Sequence, residues 1–238
     1  MGWFHIALLG AVINALAIVI GGVIGLFLTK IPENLKDTIM KIQGLIIIVL
    51  GIQMAVQADD IILLLLALIL GSTVGEFIQL ELRLNQFGHW MEFKLGDKHA
   101  GNLSQGFITG TLIFVVGAMG IIGALDSGIR GNHEVLITKG IMDGFIALVM
   151  TTAYGSGVII AAIPTLLYEG GLSLLATQVD KVVPESILNE MIAQITASGG
   201  VIIIAIGLNM LNITKMRVAN MIPGIFMAIL FVYIYSIF

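Results

Sequence analysis

The chain has 238 residues, of which 58% are hydrophobic and 11% charged, and its mean hydropathy is +1.06. Soluble domains carry about 25% charged residues, so this composition indicates a protein of the lipid bilayer. The formal net charge of −4 argues against a nucleic-acid partner, which would need clustered Lys and Arg. The chain has no cysteine, which excludes disulfides, thiolate metal sites and cysteine nucleophiles.

Apolar stretches recur from one end of the chain to the other, each close to the roughly 20 residues that a helix needs to cross a bilayer. The first follows Met1 without the charged region and cleavage site of a signal peptide, so we expect a retained span. The sequence predicts an all-α, polytopic transmembrane helical bundle, forming a single domain over residues 1–238. The eight predicted spans are Phe4–Leu28, Ile39–Val56, Ile61–Ile78, Leu103–Leu125, Val135–Ala153, Gly157–Leu175, Ile187–Leu211 and Met216–Phe238.

The fifth predicted span is the least regular, because Lys139 and Asp143 lie inside its apolar run. Two interpretations remain open. The segment is either a full crossing that lines a cavity, or a re-entrant segment buried in protein, which would leave seven spans.

The basic residues predict the orientation, since cytoplasmic loops are enriched in Lys and Arg. With eight spans and the N-terminus outside, most basic residues fall inside, and these are Lys30, Lys36, Lys41, Arg83, Lys94, Lys98, Lys215 and Arg217. The outside connections then carry Asp59, Asp60, Asp180 and Glu185. Both termini are therefore predicted outside, whereas loss of the fifth span would move the C-terminus inside.

Residues 79–102 separate the third span from the fourth and read as an amphipathic helix on the cytoplasmic interface, with Trp90 at headgroup depth. The apolar positions at helical spacing are Leu80, Leu84, Phe87 and Met91. This spacing favours the interfacial helix over a soluble loop.

The second and seventh spans resemble each other. The matched positions are Gly44 with Gly200, Gly51 with Gly207, and Gln53 with Asn209. Upstream, Ile31-Pro32-Glu33 resembles Val183-Pro184-Glu185, and a glycine pair lies in the span before each copy. Chance similarity between apolar helices is the alternative.

The sequence thus predicts a repeat A over residues 1–78 and a repeat B over 155–238, on either side of central helices at 103–154. Since the copies lie five spans apart, they would cross the membrane in opposite directions. Inverted repeats of this kind recur in secondary transporters, with the site near the midplane between the copies.

Charged residues inside apolar spans are costly, so they are the first candidates for function. Lys139 and Asp143, four residues apart, can pair on one helix face, either as a proton or cation switch or as a structural ion pair. Asp126 ends a glycine-rich helix and either coordinates a cation or closes the helix at the interface.

Further candidates are amides and a break between spans. The amides are Asn14, Gln53, Asn209 and Asn220, which either line a path or form interhelical hydrogen bonds. Gly155 and Gly157 flank Ser156 in a flexible break whose freed backbone groups could contact a substrate. No histidine lies in a later span to serve as a base for Ser156, and no metal, phosphate or dinucleotide motif is present. We therefore expect no enzyme activity, cofactor or metal site.

Several of these segments together resemble the YdfK/YqgA family of bacterial inner-membrane proteins of unknown function. The segments are Asn14 with Gly21-Gly22 and Gly25, Gly117 to Gly131, Lys139-Gly-Ile-Met-Asp143-Gly144, Gly155-Ser-Gly157-Val, Gly207-Leu-Asn-Met-Leu, and Val218-Ala-Asn220-Met-Ile-Pro223. Gly120 and Gly140 depart from the family pattern, where other small residues are expected. The resemblance implies the bacterial plasma membrane and a family often labelled as transporters, and it supplies no substrate and no site.

Two functions remain in competition at this stage. The first is a transporter or channel for a small solute or ion, with Asp126, Lys139 and Asp143 in the path, Gln53 and Asn209 flanking it, and the repeats rocking about the central helices. The second is a non-transporting scaffold or sensor that binds a partner through its amphipathic helix. The lipid bilayer is a partner in both. Small-residue faces suit helix contacts either within one chain or between copies of it, so the sequence allows a homo-oligomer without requiring one.

Overall fold

The computed structural model describes residues 2–28, 33–95 and 103–237, and all its regular elements are helical. The α-helices are α1 (Gly2–Phe27), α2 (Glu33–Ala55), α3 (Ile61–Phe77), α4 (Leu80–Leu95), α5 (Leu103–Val115), α6 (Ala118–Arg130), α7 (Glu134–Tyr154), α8 (Gly157–Ile160), α9 (Ala162–Val182), α10 (Glu185–Met210) and α11 (Pro223–Tyr235), with a 3₁₀ turn at Val218–Met221. Lys30, the Ile31-Pro32 part of the repeat and residues 96–102 of the amphipathic segment lie outside the described residues.

Five of the described helical segments are long and apolar enough to cross a bilayer, and two bent helix pairs bring the number to seven if each pair is one span. The five are Ala7–Phe27, Glu134–Tyr154, Gly157–Val179, Glu185–Met210 and Val218–Tyr235. The apolar part of α2, Gly44–Ala55, is shorter. The described part of the chain is therefore helical with five to seven candidate spans, while the count of eight spans stays a prediction.

The segment predicted as the fourth span, Leu103–Leu125, differs from expectation because it is built from two helices. The axes of α5 and α6 differ by 60° across a break that contains Gly117. Gly117 has a φ of 142°, a conformation that L side chains rarely adopt and that glycine tolerates. The break ends the hydrogen-bond ladder of α5 near its last turn.

The predicted amphipathic segment is helical as α4, which follows α3 after a bend of 52°. Gln79 at this bend has a positive φ of 52°. Trp90 is exposed, as an aromatic side chain at a headgroup interface would be. The helix is thus confirmed over Leu80–Leu95, and its depth in the membrane stays a prediction.

The chain forms two compact units, each drawing on distant parts of the sequence. The first unit comprises Met1–Asp37, Gly88–Val115 and Met119–Val182. The second comprises Thr38–Phe87, Val116–Ala118 and Val183–Phe238. Each predicted repeat is thus divided between the two units, whereas the central helices lie in the first unit except for Val116–Ala118.

In the first unit α1 packs along α7 through small residues, which let the two backbones approach closely. Gly140 faces Asn14, and a Cβ on Gly21 would collide with the backbone carbonyl of Gly144. Because the contacts advance in the same direction along both helices, α1 and α7 are parallel.

Small residues of α5 also pack within the first unit. Gly106 faces Tyr154, and Gly110 faces Ala161 and Val158. This small-residue face is therefore used inside one chain, and a contact between copies is untested.

In the second unit α2 crosses α10 through the four glycines that the sequence comparison matched. Gly44 lies against the carbonyl of Gly207, and Gly51 lies against that of Gly200. The residue numbers rise on one helix as they fall on the other, so α2 and α10 are antiparallel.

The α3 and α11 helices form the other close pair of the second unit. Gly71 packs against Gly224, and Gly75 packs against the backbone of Asn220. This pair is also antiparallel. The two close pairs of this unit thus each combine a helix of predicted repeat A with one of repeat B.

Candidate functional site

A cluster of buried charges lies in the first unit and is centred on α7. The Lys139 ammonium donates to the Asp143 carboxylate one helical turn later, as their spacing predicts. Lys139 is 6% exposed and Asp143 is 4% exposed, so neither charge has ready access to water. A buried charge is tolerated only when it is paired or hydrogen-bonded, which makes the surroundings of the pair decisive.

Glu169 of α9 is the third charge of the cluster, and reasoning from the sequence missed it. Its carboxylate lies 3.3 Å from Lys139 Nζ and is fully buried. The signal was present, because Glu169 interrupts the apolar run of the sixth predicted span, and an ionisable residue inside a span is a candidate by default.

Asn14 of α1 holds Glu169 in place. Its Nδ2 donates to Glu169 Oε1 at 2.8 Å and to Oε2 at 2.9 Å. The amide orientation follows from this contact, since the reverse orientation would set two oxygens against each other. The other end of the amide, Asn14 Oδ1, is buried and has no hydrogen-bond partner.

The break between α5 and α6 supplies a backbone group to the same cluster. The Phe114 carbonyl, close to the end of α5, accepts a hydrogen bond of 2.7 Å from Lys139 Nζ. In the first turn of α6, a Cβ on Gly120 would lie 3.5 Å from Glu169 Oε1 and from Lys139 Cε. The Glu169 carboxylate thus lies near a helix N-terminus, whose partial positive charge favours an anion.

We call Asn14, Phe114, Lys139, Asp143 and Glu169 the charge cluster. With every group ionised, two carboxylates face one ammonium, so the cluster carries a net charge of −1. A buried net charge is unfavourable by several kcal/mol, and the imbalance can be removed by a proton or by a cation. The arrangement is therefore suited to taking up and releasing one positive charge.

Asp126, predicted as a candidate for the path, lies at the end of α6 and is tied locally. It forms an ion pair of 2.9 Å with Arg130, whose side chain is largely exposed, and Asn132 donates to it at 3.4 Å. Ser127 beside it donates to the carbonyl of Ala7. This geometry matches the interpretation in which Asp126 closes the helix.

Gln53 and Asn209, the matched amides, lie in the second unit. Gln53 is exposed, and its backbone carbonyl accepts from Gln57 Nε2. Asn209 organises the turn after α10, where its Oδ1 accepts from Thr214 and from Met216 N and its Nδ2 donates to the Met216 carbonyl. Gln53 and Asn209 therefore have different surroundings, although the sequence comparison matched them.

Gly155 and Gly157 form the predicted break after α7. Gly155 ends α7 with a φ of 68°, and a Cβ there would meet nothing within 4 Å. Gly157 packs directly against the backbone of Leu103 at the start of α5. Gly155 thus has open space beside it, while Gly157 serves helix packing.

A second polar group of residues lies in the second unit. Glu76 pairs with Arg217 and accepts from Asn220, whose Oδ1 accepts from the backbone N–H of Glu81 at 2.8 Å. Three of these residues line a cavity of about 270 Å³, whose lining is Gln79, Glu81, Leu82, Asn85, Arg217 and Asn220. Because Glu76 and Arg217 are more than half exposed, their ion pair is screened by solvent.

Comparison with known proteins gives a family but no activity. The profile described as "Protein of unknown function (DUF554)" matches residues 9–233. The chain is 30% identical to the uncharacterized membrane protein YdfK of Bacillus subtilis (strain 168) over 222 residues, 91% of this chain and 92% of the relative. It is 29% identical to the uncharacterized protein YqgA of Escherichia coli (strain K12) over 225 residues, 92% and 94% of the two chains. No solved structure matches the chain significantly. The resemblance inferred from the sequence is confirmed.

Proposed function

From the premise that the chain belongs to the DUF554 family of proteins of unknown function, we propose that it is a secondary transporter of the bacterial plasma membrane. It moves a small solute or ion and is coupled to a proton or a cation through the charge cluster. Lys139, Asp143 and Glu169 carry the coupling charge, and Asn14 positions Glu169.

The observation that carries this proposal is the burial of two carboxyl groups beside a single amine among apolar helices. A structural ion pair needs one carboxylate for one ammonium, whereas here a second carboxylate, Glu169, lies 3.3 Å from the same Lys139 ammonium. Ionisable groups at membrane depth are costly and characteristically mark ion pathways and proton relays. A scaffold has no use for the second acidic group. A coupled transporter, in contrast, needs a site that takes up and releases one proton or cation.

The broken helix supports the same function. Discontinuous helices in transporters offer carbonyls from one half and a helix N-terminus from the other half to ions and substrates. Here the end of α5 offers the Phe114 carbonyl, and the start of α6 lies beside Glu169. Irregular backbone at membrane depth is tolerated where it is buried in protein or lines a cavity.

An inverted repeat is supported by the contacts between α2 and α10. When the two copies are exchanged, the contact of Gly44 with Gly207 becomes that of Gly200 with Gly51. A Cβ on Gly51 would likewise meet Ile204, and a Cβ on Gly207 would meet Ile48, which are matched positions. Such reciprocity is what a two-fold axis between antiparallel helices produces.

The helix directions support eight spans with both termini on the same side of the membrane, which the distribution of Lys and Arg predicts to be the outside. If α2, α3, the α5–α6 pair and α7 all cross, α7 must run parallel to α1, as it does. If α7 were re-entrant while α8–α9 crossed, α10 would run parallel to α2. The antiparallel contact of α2 with α10 therefore favours a full crossing by α7.

The test uses charge movement, because charge movement can be measured before the solute is identified. Purified protein in proteoliposomes on a solid-supported membrane is exposed to jumps of Na⁺, K⁺ or H⁺, with N-methyl-D-glucamine as the replacement cation. We expect transient currents from the wild type for at least one of these cations. Asp143→Asn should abolish them while the protein remains folded, and Asp59→Asn, at an exposed position, should leave them unchanged.

Two results would count against the proposal. Equal currents from Asp143→Asn and the wild type would remove the cluster from the coupling mechanism. Absence of any current from the wild type, together with a stable protein partner recovered on α4, would favour the scaffold or sensor.

A further inference from the structure

We propose that the charge cluster is a binding site for one small monovalent cation, Na⁺ or K⁺, held together with the Lys139 ammonium. This inference rests on the proposed function, because it names the coupling ion of the same site. The number of ionisable groups points to the valence. With both carboxyls and the amine ionised, the cluster has a single negative charge, which one monovalent cation would neutralise and a divalent cation would exceed.

The donor atoms around the cluster suit a hard cation. Asp143 and Glu169 supply carboxylate oxygens, and the end of α5 supplies the Phe114 carbonyl. Unwound backbone carbonyls at the C-terminal ends of half-helices are the groups that coordinate Na⁺ in discontinuous transporter helices. Among the described residues, no group of three or more His, Cys, Asp or Glu side chains that would suit a transition metal is found.

An independent observation points to a ligand that is still to be accommodated. Asn14 Oδ1 is fully buried and has no hydrogen-bond partner, although Nδ2 of the same amide donates a hydrogen bond to Glu169. A buried oxygen without a partner costs about 1 to 3 kcal/mol. A hydrogen-bond donor cannot be assigned to it from the cluster, since the Lys139 ammonium is directed at Phe114, Asp143 and Glu169. A cation coordinated by Asn14 Oδ1 and the nearby carboxylates would satisfy this oxygen and the excess charge together.

The oxygens of the charge cluster already surround one positive charge, the Lys139 ammonium. Its nitrogen has the Phe114 carbonyl at 2.7 Å and Glu169 Oε1 at 3.3 Å, with Asp143 as its third partner. The ammonium is tethered to α7, so it lowers the affinity for a second cation by repulsion. The site is therefore expected to release the cation readily rather than to trap it, as exchange during transport requires.

The test is thermal unfolding of the purified protein in detergent, in NaCl, KCl or N-methyl-D-glucamine chloride at equal ionic strength. A ligand that binds only the folded state raises the midpoint, and at 100-fold over its Kd the expected rise is about 5 to 10 °C for a chain of this size. We expect a saturable rise with Na⁺ or K⁺ for the wild type. Glu169→Gln keeps an oxygen that can accept from Asn14 and makes the cluster neutral, so the rise should vanish.

Two further variants separate a site from a general salt effect. Glu185→Gln makes the same chemical change at an exposed position at the start of α10 and should retain the full rise. Asn14→Leu keeps all the charges and removes both the unpartnered oxygen and the Nδ2 donor that positions Glu169, so its rise should be reduced. Each variant is compared with its own midpoint in N-methyl-D-glucamine, which removes the effect of the substitution on folding.

Three results would overturn the inference. The first is a wild type that unfolds at the same temperature in all three salts, which leaves a proton as the neutralising charge. The second is a Glu169→Gln variant whose midpoint still rises fully with Na⁺ or K⁺. The third is a Glu185→Gln variant whose midpoint no longer rises. The wild-type comparison is decisive even if Glu169→Gln fails to fold. Cation binding without charge movement would contradict the proposed transport but support the cation site. Charge movement without cation binding would support transport and contradict the cation site.

Discussion

At the scale of single residues, Lys139 is the basic group that two buried acidic side chains of the first unit share. It faces two buried carboxylates and a backbone carbonyl. Removing one partner from a buried ion pair leaves the other charge uncompensated, which typically costs about 3 to 5 kcal/mol. The stability of the protein should therefore depend strongly on this one ammonium.

We predict that Lys139→Met lowers the free energy of unfolding by about 3 to 5 kcal/mol. Adding Asp143→Asn to it should recover part of the loss, because only Glu169 then remains negative. The measurement is denaturant unfolding in detergent micelles, with Lys215→Met at an exposed position as the control. If Lys139→Met were as stable as the control, the cluster would not be held by its charges.

The sequence was sufficient to find half of this cluster. Lys139 and Asp143 were paired from their spacing, and Asn14 was singled out as an amide inside a span. Their partner Glu169 lies far along the chain, and nothing in the local sequence connects it to Lys139. Its position inside an apolar run was the available signal, whereas the contact itself depends on how α9 packs.

At the scale of elements, the break between α5 and α6 decides what the cluster can bind. The sequence between them is apolar and contains no proline, so it reads as one span. Glycine permits a positive φ without requiring it, and the φ of 142° at Gly117 could not be inferred from its identity. Gly117, one of the glycines that suggested close helix packing, instead lies in the break, and the Phe114 carbonyl before it accepts a hydrogen bond from Lys139.

The parallel contact of α1 with α7 brings Asn14 to the cluster and depends on backbone-to-backbone approach. A Cβ on Gly21 would collide with the Gly144 carbonyl, which cannot move without shifting α7. We predict that Gly21→Ala strongly lowers the thermal midpoint and disturbs cation binding at the cluster.

Gly171 offers the matched control for this prediction. It is the second glycine of the pair in α9, and a Cβ there would meet nothing within 4 Å. Gly171→Ala should be neutral or stabilise the protein by up to about 1 kcal/mol, since alanine is the better helix former. Equal midpoints for Gly21→Ala and Gly171→Ala would contradict the close approach of α1 to α7.

At the scale of the whole molecule, the eight predicted spans correspond to helical segments, but their grouping was not evident from the sequence. The first unit contains the helices of predicted spans one, four, five and six, and the second contains those of spans two, three, seven and eight. Span one is therefore grouped with spans four to six rather than with span two, because its small-residue face fits that of α7, far along the chain. Hydropathy identifies spans, and it contains no information about which faces pair.

This grouping has a consequence for the proposed mechanism. Each unit takes its helices from both predicted repeats, with span one beside span six in the first and spans two and three beside seven and eight in the second. If the copies are inverted, a two-fold operation within each unit exchanges its helices from repeat A with its helices from repeat B. Alternating access would then exchange the conformations of the two copies.

The orientation of the two copies is the claim on which this account depends most, and the natural absence of cysteine makes it directly measurable. Asn34 and Ser186 are exposed, and each follows a Pro-Glu pair at the start of α2 or α10. Single cysteines at these positions are labelled with an impermeant maleimide in intact cells, and lysed cells serve as the control in which both must react. The account predicts that only the cysteine at position 186 reacts in intact cells. Labelling of both positions, or of neither, would contradict the inverted repeat.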